Sequence, residues 1–379
     1  MKHRQISPEM KLILVGGGHA HIHVMHRIKH LQTLADVILI SPAREQLYSG
    51  MASGYVEGIY TSGEIAFDLA RICEQMQIQW IQGRVCHIDA DAQVVSVDNG
   101  QTYPYDVLSL NIGSEIRDPD LPDANQTRIK VKPLENLIKL RQLLDDASLH
   151  TQRAHCVLRT SVLGGGAAGV EMSLAIRAAA DRAGWQPEIH LWEKHADILA
   201  KYSDRTRHYA LEKLKLAGIR LHCQASLTDQ PETAEHLPDR QQADDLVILA
   251  TGSQASDLFA YSSLQVDGKG YLQVNEFLQS THQPSIFGAG DCISLITDPD
   301  MPKAGVFATR QSPFLLANLQ RFLQKKSLRQ FRQQRRFLSI LSTGHQTAIL
   351  DWGRLSIAGK LPWQIKNLID RRFMRRYQI

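Results

Sequence analysis

One pattern occurs twice in this chain and leaves little freedom for the rest. An apolar run meets three glycines, a helical stretch follows, and a second apolar run closes the unit. The first copy is Lys11–Val15, Gly16-Gly17-Gly18 and Val37–Ile40. The second begins with Ser161–Leu163 after the apolar Val157 and Leu158. It continues through Gly164-Gly165-Gly166 to Ile189–Trp192. Strand, glycine turn, helix and strand in that order make a βαβ unit. Parallel strands joined by helices are covered on both faces, so they read as apolar runs rather than as alternating ones.

A second pair of echoes lies further along. Asp106–Leu110 ends in Asn111-Ile112-Gly113-Ser114, and Asp245–Leu249 ends in Ala250-Thr251-Gly252-Ser253. Ser285–Phe287 leads into Gly288-Ala289-Gly290-Asp291. Ile78–Ile81 and Val94–Val97 read as strands near an Asn99-Gly100 turn. Arg117–Pro133 is punctuated by proline and reads as a crossing between domains, and 228–243 reads as a polar surface loop or hairpin tip. At 379 residues the chain is too long for one core. The expectation is an α/β protein with two Rossmann-like dinucleotide domains, the second inserted in the first. Residues 1–120 and 256–325 form the first domain, 121–149 a crossover linker, 150–255 the inserted domain, and 326–379 a basic amphipathic tail.

The second glycine run, Gly164-Gly165-Gly166-Ala167-Ala168-Gly169, satisfies GxGxxG. The first glycine permits the tight turn, the second lets backbone approach a pyrophosphate, and the third lets helix and strand pack closely. The helix N-terminus then faces the anion with free N–H groups. Glu193 ends the next strand, where a carboxylate accepts from a ribose 2′-OH; this favours NADH, and NADPH less, although Lys194 beside it weakens the preference. With Gly164, Gly166, Ala167, Ala168, Gly169, Glu193 and Gly252, this is the NAD(P)H site.

The first run departs from the pattern. Gly16-Gly17-Gly18-His19-Ala20-His21 carries His21 at the third glycine position, and its second strand ends in Ser41-Pro42 rather than an acid. Asp291, on the turn after a later strand, selects the cofactor: a carboxylate there accepts from a ribityl hydroxyl of FAD. The helix starting near Lys303-Ala304-Gly305 aims its positive end at the flavin ring. The FAD residues are therefore Gly16, Gly17, Gly18, His19, Ala20, Ser41, Pro42, Gly113, Gly290, Asp291, Lys303, Ala304 and Gly305.

The order GGGHAH, NIGS, GGGAAGVE, ATGS, FGAGD resembles that of the pyridine nucleotide–disulfide oxidoreductase superfamily, over roughly residues 11–320. Within it the chain is most similar to the branch of type II NADH dehydrogenases and sulfide:quinone reductases. LVGGGHAHIHV, SPAREQLYSGM and IDRRFMRRY resemble the flavoprotein module fused to selenide, water dikinase in some bacteria. The resemblance implies hydride transfer from NAD(P)H to FAD and then electrons to an acceptor. A quinone is the first reading, and a small oxidant, selenium-containing or not, or a protein carrier is the second. A third is an FAD-binding partner protein without catalysis. A dikinase is the partner the resemblance suggests.

The departures narrow these readings. Disulfide reductases carry a cysteine pair where this chain has Arg44–Met51, and the five cysteines, Cys73, Cys86, Cys156, Cys223 and Cys292, form no close pair. The resemblance puts Val306 and Arg310 where type II NADH dehydrogenases hold two glutamines facing the quinone; Gln311 points elsewhere on a helix. It also puts Glu171 near the nicotinamide–flavin contact and Lys132 near the flavin, with a helix-dipole glutamate and a solvated lysine as the plainer alternatives. The catalytic candidates are thus Glu171, Lys132, Tyr48 and Arg310, with Tyr48, Gly50, Met51 and the Lys303–Arg310 stretch lining the acceptor face.

His19, His23, His26 and His30 form a helical stripe about 120° from the apolar stripe of Ala20, Val24, Ile28 and Leu31. The apolar stripe is expected in the core and the histidines toward solvent or a neighbouring element, with no metal site. Near the end, Ile365, Leu368, Ile369, Phe373 and Tyr377 recur at helical spacing among Lys366, Arg371, Arg372, Arg375 and Arg376. This basic amphipathic helix suits a membrane surface, the chain's own flavin domain, or a partner; Trp363 stands near its start. A net charge of +4 gives no case for nucleic acid. The N-terminal segment lacks a signal peptide's apolar stretch, so the expected location is cytoplasmic, or peripheral on the inner face of the membrane.

Overall fold

The computed structural model describes residues 10–119, 121, 126–154, 157–225, 245–334, 337–353 and 355–379. Two all-parallel five-stranded sheets organise it. In chain order, the strands of the first are β1 (Met10–Val15), β2 (Ala35–Ser41), β3 (Gln79–Gln82) and β4 (Val107–Leu110). The second sheet takes β5 (Thr127–Lys130), β6 (Arg159–Leu163), β7 (Glu188–Glu193), β8 (Arg220–Cys223) and β9 (Leu246–Leu249). The chain then returns to the first sheet with β10 (Ile286–Gly288).

The strand orders are β10-β4-β1-β2-β3 and β5-β9-β6-β7-β8. Parallel register at Val15↔Ile40 and Leu163↔Trp192 brings each glycine turn to the carboxyl edge of its sheet. That edge is where open α/β sheets bind ligands. Leu12, Ile13, Leu14, Val107, Leu108, Val162, Leu191, Val247 and Ile248 are fully buried, as strands with both faces covered must be.

The segment read as a crossing over 121–149 is structured. It supplies β5, which pairs parallel with β9, and the helix Asn136–Ala154. The prolines of the Arg117–Pro133 stretch lie at 119 and 122, before the strand, and at 133, after it, so none interrupts the ladder. The polar stretch 228–243 and Cys156 lie outside the described residues. Asn99-Gly100 joins Val94–Val97 to Thr102–Pro104 in a three-stranded antiparallel sheet with Val85–Asp89.

The histidine-rich helix is shorter than its pattern. Helix α1 (His19–Met25) ends before α2 (Lys29–Gln32), so no single stripe runs from His19 to His30. Ala20, Val24, Ile28 and Leu31 are fully buried, as expected, yet so is His21. The remaining helices that build the site are α3 (Ala52–Glu57), α4 (Ala167–Ala183) and α5 (Gly305–Leu323).

The tail is more than an amphipathic helix. Ser339–Ser342, Ala348–Trp352 and Leu355–Gly359 form an antiparallel sheet that leads into α6 (Lys360–Tyr377). Of the three readings of α6, its own flavin domain receives one face. Phe373 stacks on Tyr48 at 4.7 Å, and the buried Tyr377 Oη lies 2.8 Å from His23 Nδ1. His23 and His26 therefore meet a neighbouring helix, not solvent. A second apolar face points outward, with Leu361 62%, Leu368 66% and Ile369 46% exposed. No helix among the described residues is long and apolar enough to cross a membrane.

Candidate active site

The two glycine turns are built alike and finished differently. Gly16 and Gly164 both take positive φ, +87° and +108°. A Cβ on either would sit 2.7 Å from Asn111 O or 2.6 Å from Ala250 O, so each turn presses on the loop after a neighbouring strand. At the third position the copies diverge. A Cβ on Gly169 would stand 1.8 Å from Gly164 O, which only glycine allows. His21 occupies the equivalent place in the first turn and makes bonds there instead. Its Nδ1 lies 2.7 Å from Gly16 O and its Nε2 2.8 Å from Ser109 Oγ. A carbonyl can only accept, so the ring proton belongs on Nδ1 and Nε2 accepts from the serine hydroxyl. Burial brings the pKa down to about 4, which keeps the imidazole neutral and compatible with that arrangement.

Asn111 is a site residue the sequence reading missed. Its Oδ1 accepts the N–H groups of Ala20 (2.9 Å) and His21 (3.3 Å), and its Nδ2 donates to Ala289 O at 2.6 Å. It thus joins the start of α1 to the Gly288–Asp291 turn. The available signal was its place at the head of the NIGS turn, directly opposite the first glycine run. Ser41 is buried and donates to Ala43 O at 3.2 Å, beside Pro42.

The flavin-side residues converge. Lys132 Nζ lies 2.6 Å from Asp291 Oδ2 and 3.1 Å from Ser114 Oγ. Gly290 N–H donates to Gln311 Oε1 at 2.7 Å, so Gln311, read as pointing away from an acceptor, braces the aspartate turn. Ala304 caps α5 without a side-chain bond, leaving the helix start to a ligand. A Cβ on Gly305, the first residue of α5, would lie 2.8 Å from Ser49 Oγ and 3.7 Å from His19. His19 packs edge-on against Tyr48 at 5.4 Å. Burial lowers its pKa to about 4, opposed by Asp291, and its buried Nε2 has no partner. Lys303 is turned aside: its Nζ donates to Ile293 O and lies 4.0 Å over the Tyr271 ring, and burial lowers its pKa.

FAD is the cofactor that these residues imply. The cofactor requires an anion-accepting turn, a carboxylate for the ribityl chain and a helix start at the ring. Gly16–His19, Asp291 and Gly305 supply them around an orphaned imidazole nitrogen, and a Cβ on Gly113 would meet nothing within 4 Å. The residues fit the group.

On the nucleotide side, Gly166 caps α4 without a side-chain bond, so the first-turn amides of Ala167, Ala168 and Gly169 lack a side-chain cap. A Cβ on Gly166 or Gly252 would meet nothing within 4 Å. Glu193 is buried and grips its own loop, its Oε2 accepting Gly165 N–H at 2.7 Å and its Oε1 accepting His195 N–H at 2.8 Å. Each carboxylate oxygen keeps lone-pair capacity for a hydroxyl.

Glu171 faces the junction of the two domains. Its Oε1 accepts Ser342 N–H at 2.8 Å and lies 3.4 Å from Ser53 Oγ of α3. The helix-dipole alternative falls away, because α4 has no acid in its first turn. Burial raises the Glu171 pKa and Lys366 opposes the rise. Tyr48 Oη donates to Asp370 Oδ1 at 3.0 Å, and Lys366 Nζ lies 2.7 Å from Asp370 Oδ2. Arg310 lies on α5 one turn beyond Val306, with a buried Nη1 that has no partner. Asp370, Lys366 and Ser342 were not legible as site residues, because the tail's docking on Tyr48 is a long-range contact.

Comparison with known proteins accords with this geometry. The pyridine nucleotide-disulphide oxidoreductase family model matches residues 10–312, and the chain belongs to that family. It is an oxidoreductase that uses FAD and NAD(P)H. It is 27% identical to demethylphylloquinone reductase NdbB of Synechocystis sp. over 293 residues, 74% of this chain and 71% of that protein. It is 21% identical to NADH dehydrogenase-like protein YutJ of Bacillus subtilis over 94% of this chain and 96% of that one. Among solved structures, NDH2 of Plasmodium falciparum in complex with NADH superposes with a TM-score of 0.79 at 13% identity, covering 97% of both chains. That likeness shows the shared fold.

Proposed function

We propose that the chain passes two electrons from NADH to a quinone. The observation that carries this reading is the two-sided construction around the flavin site. α4, with Gly166, Gly169 and Glu193, presents the nucleotide from one domain, while Tyr48, Phe373 and His19 line the other side. FAD, when bound, supplies the two-electron chemistry between hydride donor and acceptor. The protein's own residues bind and orient. Asp291, held by Lys132, would take the ribityl chain, and the α5 start would favour negative charge at the ring. Glu171, at the domain junction, would meet the nicotinamide end of a bound nucleotide, and Glu193 would select the unphosphorylated ribose.

The outward face of α6 supports a membrane-surface location for the acceptor. Leu361, Leu368 and Ile369 are exposed and Arg372, Arg375 and Arg376 follow them, the make-up of an interfacial helix. In the test, NADH oxidation is followed with quinone embedded in anionic vesicles. Turnover should rise with vesicle concentration, and Leu368→Glu/Ile369→Glu should remove the vesicle dependence while leaving reduction of a water-soluble acceptor intact. Turnover indifferent to vesicles would contradict the membrane reading.

A second reading follows from Val306 and Arg310. A cation with an unpartnered buried Nη1 on the acceptor-side helix favours an anionic, water-borne oxidant over a lipid quinone. A selenium oxyanion is one such oxidant, and selenide, water dikinase is the partner this reading would give the chain. Faster reduction of selenite than of any quinone would establish that alternative.

A further inference from the structure

We propose that Lys366, Asp370 and Tyr48 form a proton-delivery line to the electron acceptor, with Lys366 at the solvent side and the Tyr48 hydroxyl as the last member. The inference rests on the quinone reading and assigns chemistry to a tail helix outside the two nucleotide folds.

Geometry carries it. Tyr48 Oη to Asp370 Oδ1 is 3.0 Å, and Asp370 Oδ2 to Lys366 Nζ is 2.7 Å. The carboxylate side chain is 7% exposed and the lysine 13%, and Lys366 Nζ also donates to Gly50 O, so the ion pair is largely shielded while the lysine keeps some contact with solvent. Its Tyr48 end lies beside residues that would hold the flavin. The Tyr48 ring is fixed between Phe373, stacked at 4.7 Å, and His19, edge-on at 5.4 Å. The next residue, Ser49, reaches the first residue of α5. Buried ion pairs add little net stability, because desolvation offsets the attraction. A helix that needed only to pack on Tyr48 could do so through Phe373 alone.

The other titratable groups facing the line are otherwise engaged. Glu171, from α4, accepts from Ser342 N–H. Tyr60 donates to Asn367 at 2.8 Å, and Arg371 pairs with Glu64 at 3.1 Å. His19 is held neutral by burial. The Tyr48 phenol is pushed well above its ordinary range by burial and by the Asp370 carboxylate, so it stays protonated in the resting site.

The stoichiometry requires such a source. NADH supplies two electrons and one hydrogen, and a quinone becomes a hydroquinone only with one further proton. The Tyr48 hydroxyl turns from Asp370 and its O–H bond breaks as the proton moves to the quinone oxygen, where an O–H bond forms; the phenolate is then reprotonated through the Asp370 carboxylate, which takes its proton from the Lys366 ammonium. The lysine amine regains a proton from solvent. None of the three residues changes oxidation state.

The experiment uses flavin-loaded full-length protein, reduced anaerobically with NADH and mixed rapidly with a short-chain quinone or with ferricyanide, which takes electrons without protons. Tyr48→Phe should slow reoxidation by quinone about 100-fold, the lower end of general acid effects, and Asp370→Asn about tenfold or more. The slowing with quinone should exceed any change in the ferricyanide rate by about tenfold or more. Tyrosine 13Cζ resonances give a readout independent of turnover. The signal lost in Tyr48→Phe should keep its neutral-phenol position from pH 7 to 11 in the parent protein and begin to titrate lower in Asp370→Asn. Equal slowing with both acceptors, no slowing with quinone, or a Tyr48 signal indifferent to Asp370→Asn would overturn the proposal. A parent protein that reduces ferricyanide but no quinone would sink the quinone reading, a different failure.

Discussion

His21 should make the protein lose stability as pH falls through and below the ordinary range of histidine. The side chain is fully buried and hydrogen-bonded through both ring nitrogens, and its pKa is brought from 6.5 to about 4. A base with a depressed folded pKa binds its proton more readily when unfolded. Its stabilisation is fully present above pH 6.5 and is lost as pH falls from there through 4. At pH 5 the unfolded histidine is mostly charged and the folded one mostly neutral. The linkage integral from pH 7 to pH 5 then comes to about 2 kcal/mol for this residue alone. His19 and His23 are depressed to about 4 as well, so the parent slope contains more than one histidine. Comparison with His21→Gln, which can still donate to Gly16 O but cannot titrate, isolates the share of this site. Urea unfolding at pH 7, 6 and 5 gives the free energies. The variant should be less stable at pH 7 yet lose about 2 kcal/mol less than the parent protein on going to pH 5. Parallel losses in the two proteins would refute the neutral, doubly bonded imidazole and with it the account of how this turn closes without a third glycine.

Two other substitutions probe the turns and the nucleotide. Gly169→Ala sets a Cβ 1.8 Å from Gly164 O, a backbone atom that cannot swing away. The expected cost is about 3 kcal/mol in the inserted domain, with NADH binding lost and FAD retained; unchanged NADH affinity by calorimetry would contradict it. Glu193→Gln removes the charge that Gly165 and His195 N–H groups share and that a ribose hydroxyl would use. The KM for NADH should rise about tenfold or more, and that for NADPH less, and an unchanged ratio of the two would show that this carboxylate does not choose the nucleotide.

The parallel strands and both glycine turns were legible because each depends on neighbours within one βαβ unit. Val15, Leu163, Gly164 and Gly169 carry their reasons locally: an apolar strand, a tight turn, a helix start. β5 was not legible, because prolines at 119, 122 and 133 resemble a linker and only β9, far along the chain, turns Thr127–Lys130 into a sheet strand. The histidine stripe was legible in part: His23 and His26 meet a neighbouring element, but the stripe does not run on to His30. Helical spacing says nothing of a break after Met25, and His21 is drawn inward by Gly16 O and Ser109, which the pattern of its own helix cannot reveal. At the acceptor side, Tyr48 was found through its segment. Asp370 and Lys366 were read only as parts of a basic amphipathic helix, since the contact that gives them meaning spans 322 positions of sequence.

Turnover depends on two nucleotide sites that bring a hydride donor to a bound flavin, and one titration tests this directly. Purified protein loaded with FAD is titrated with NADH in the absence of oxygen while the flavin's visible absorption is followed. Bleaching complete at one equivalent, reversed when quinone is added, is the result expected. A flavin that stays yellow in excess NADH and NADPH, or a protein that takes up no FAD, would contradict it.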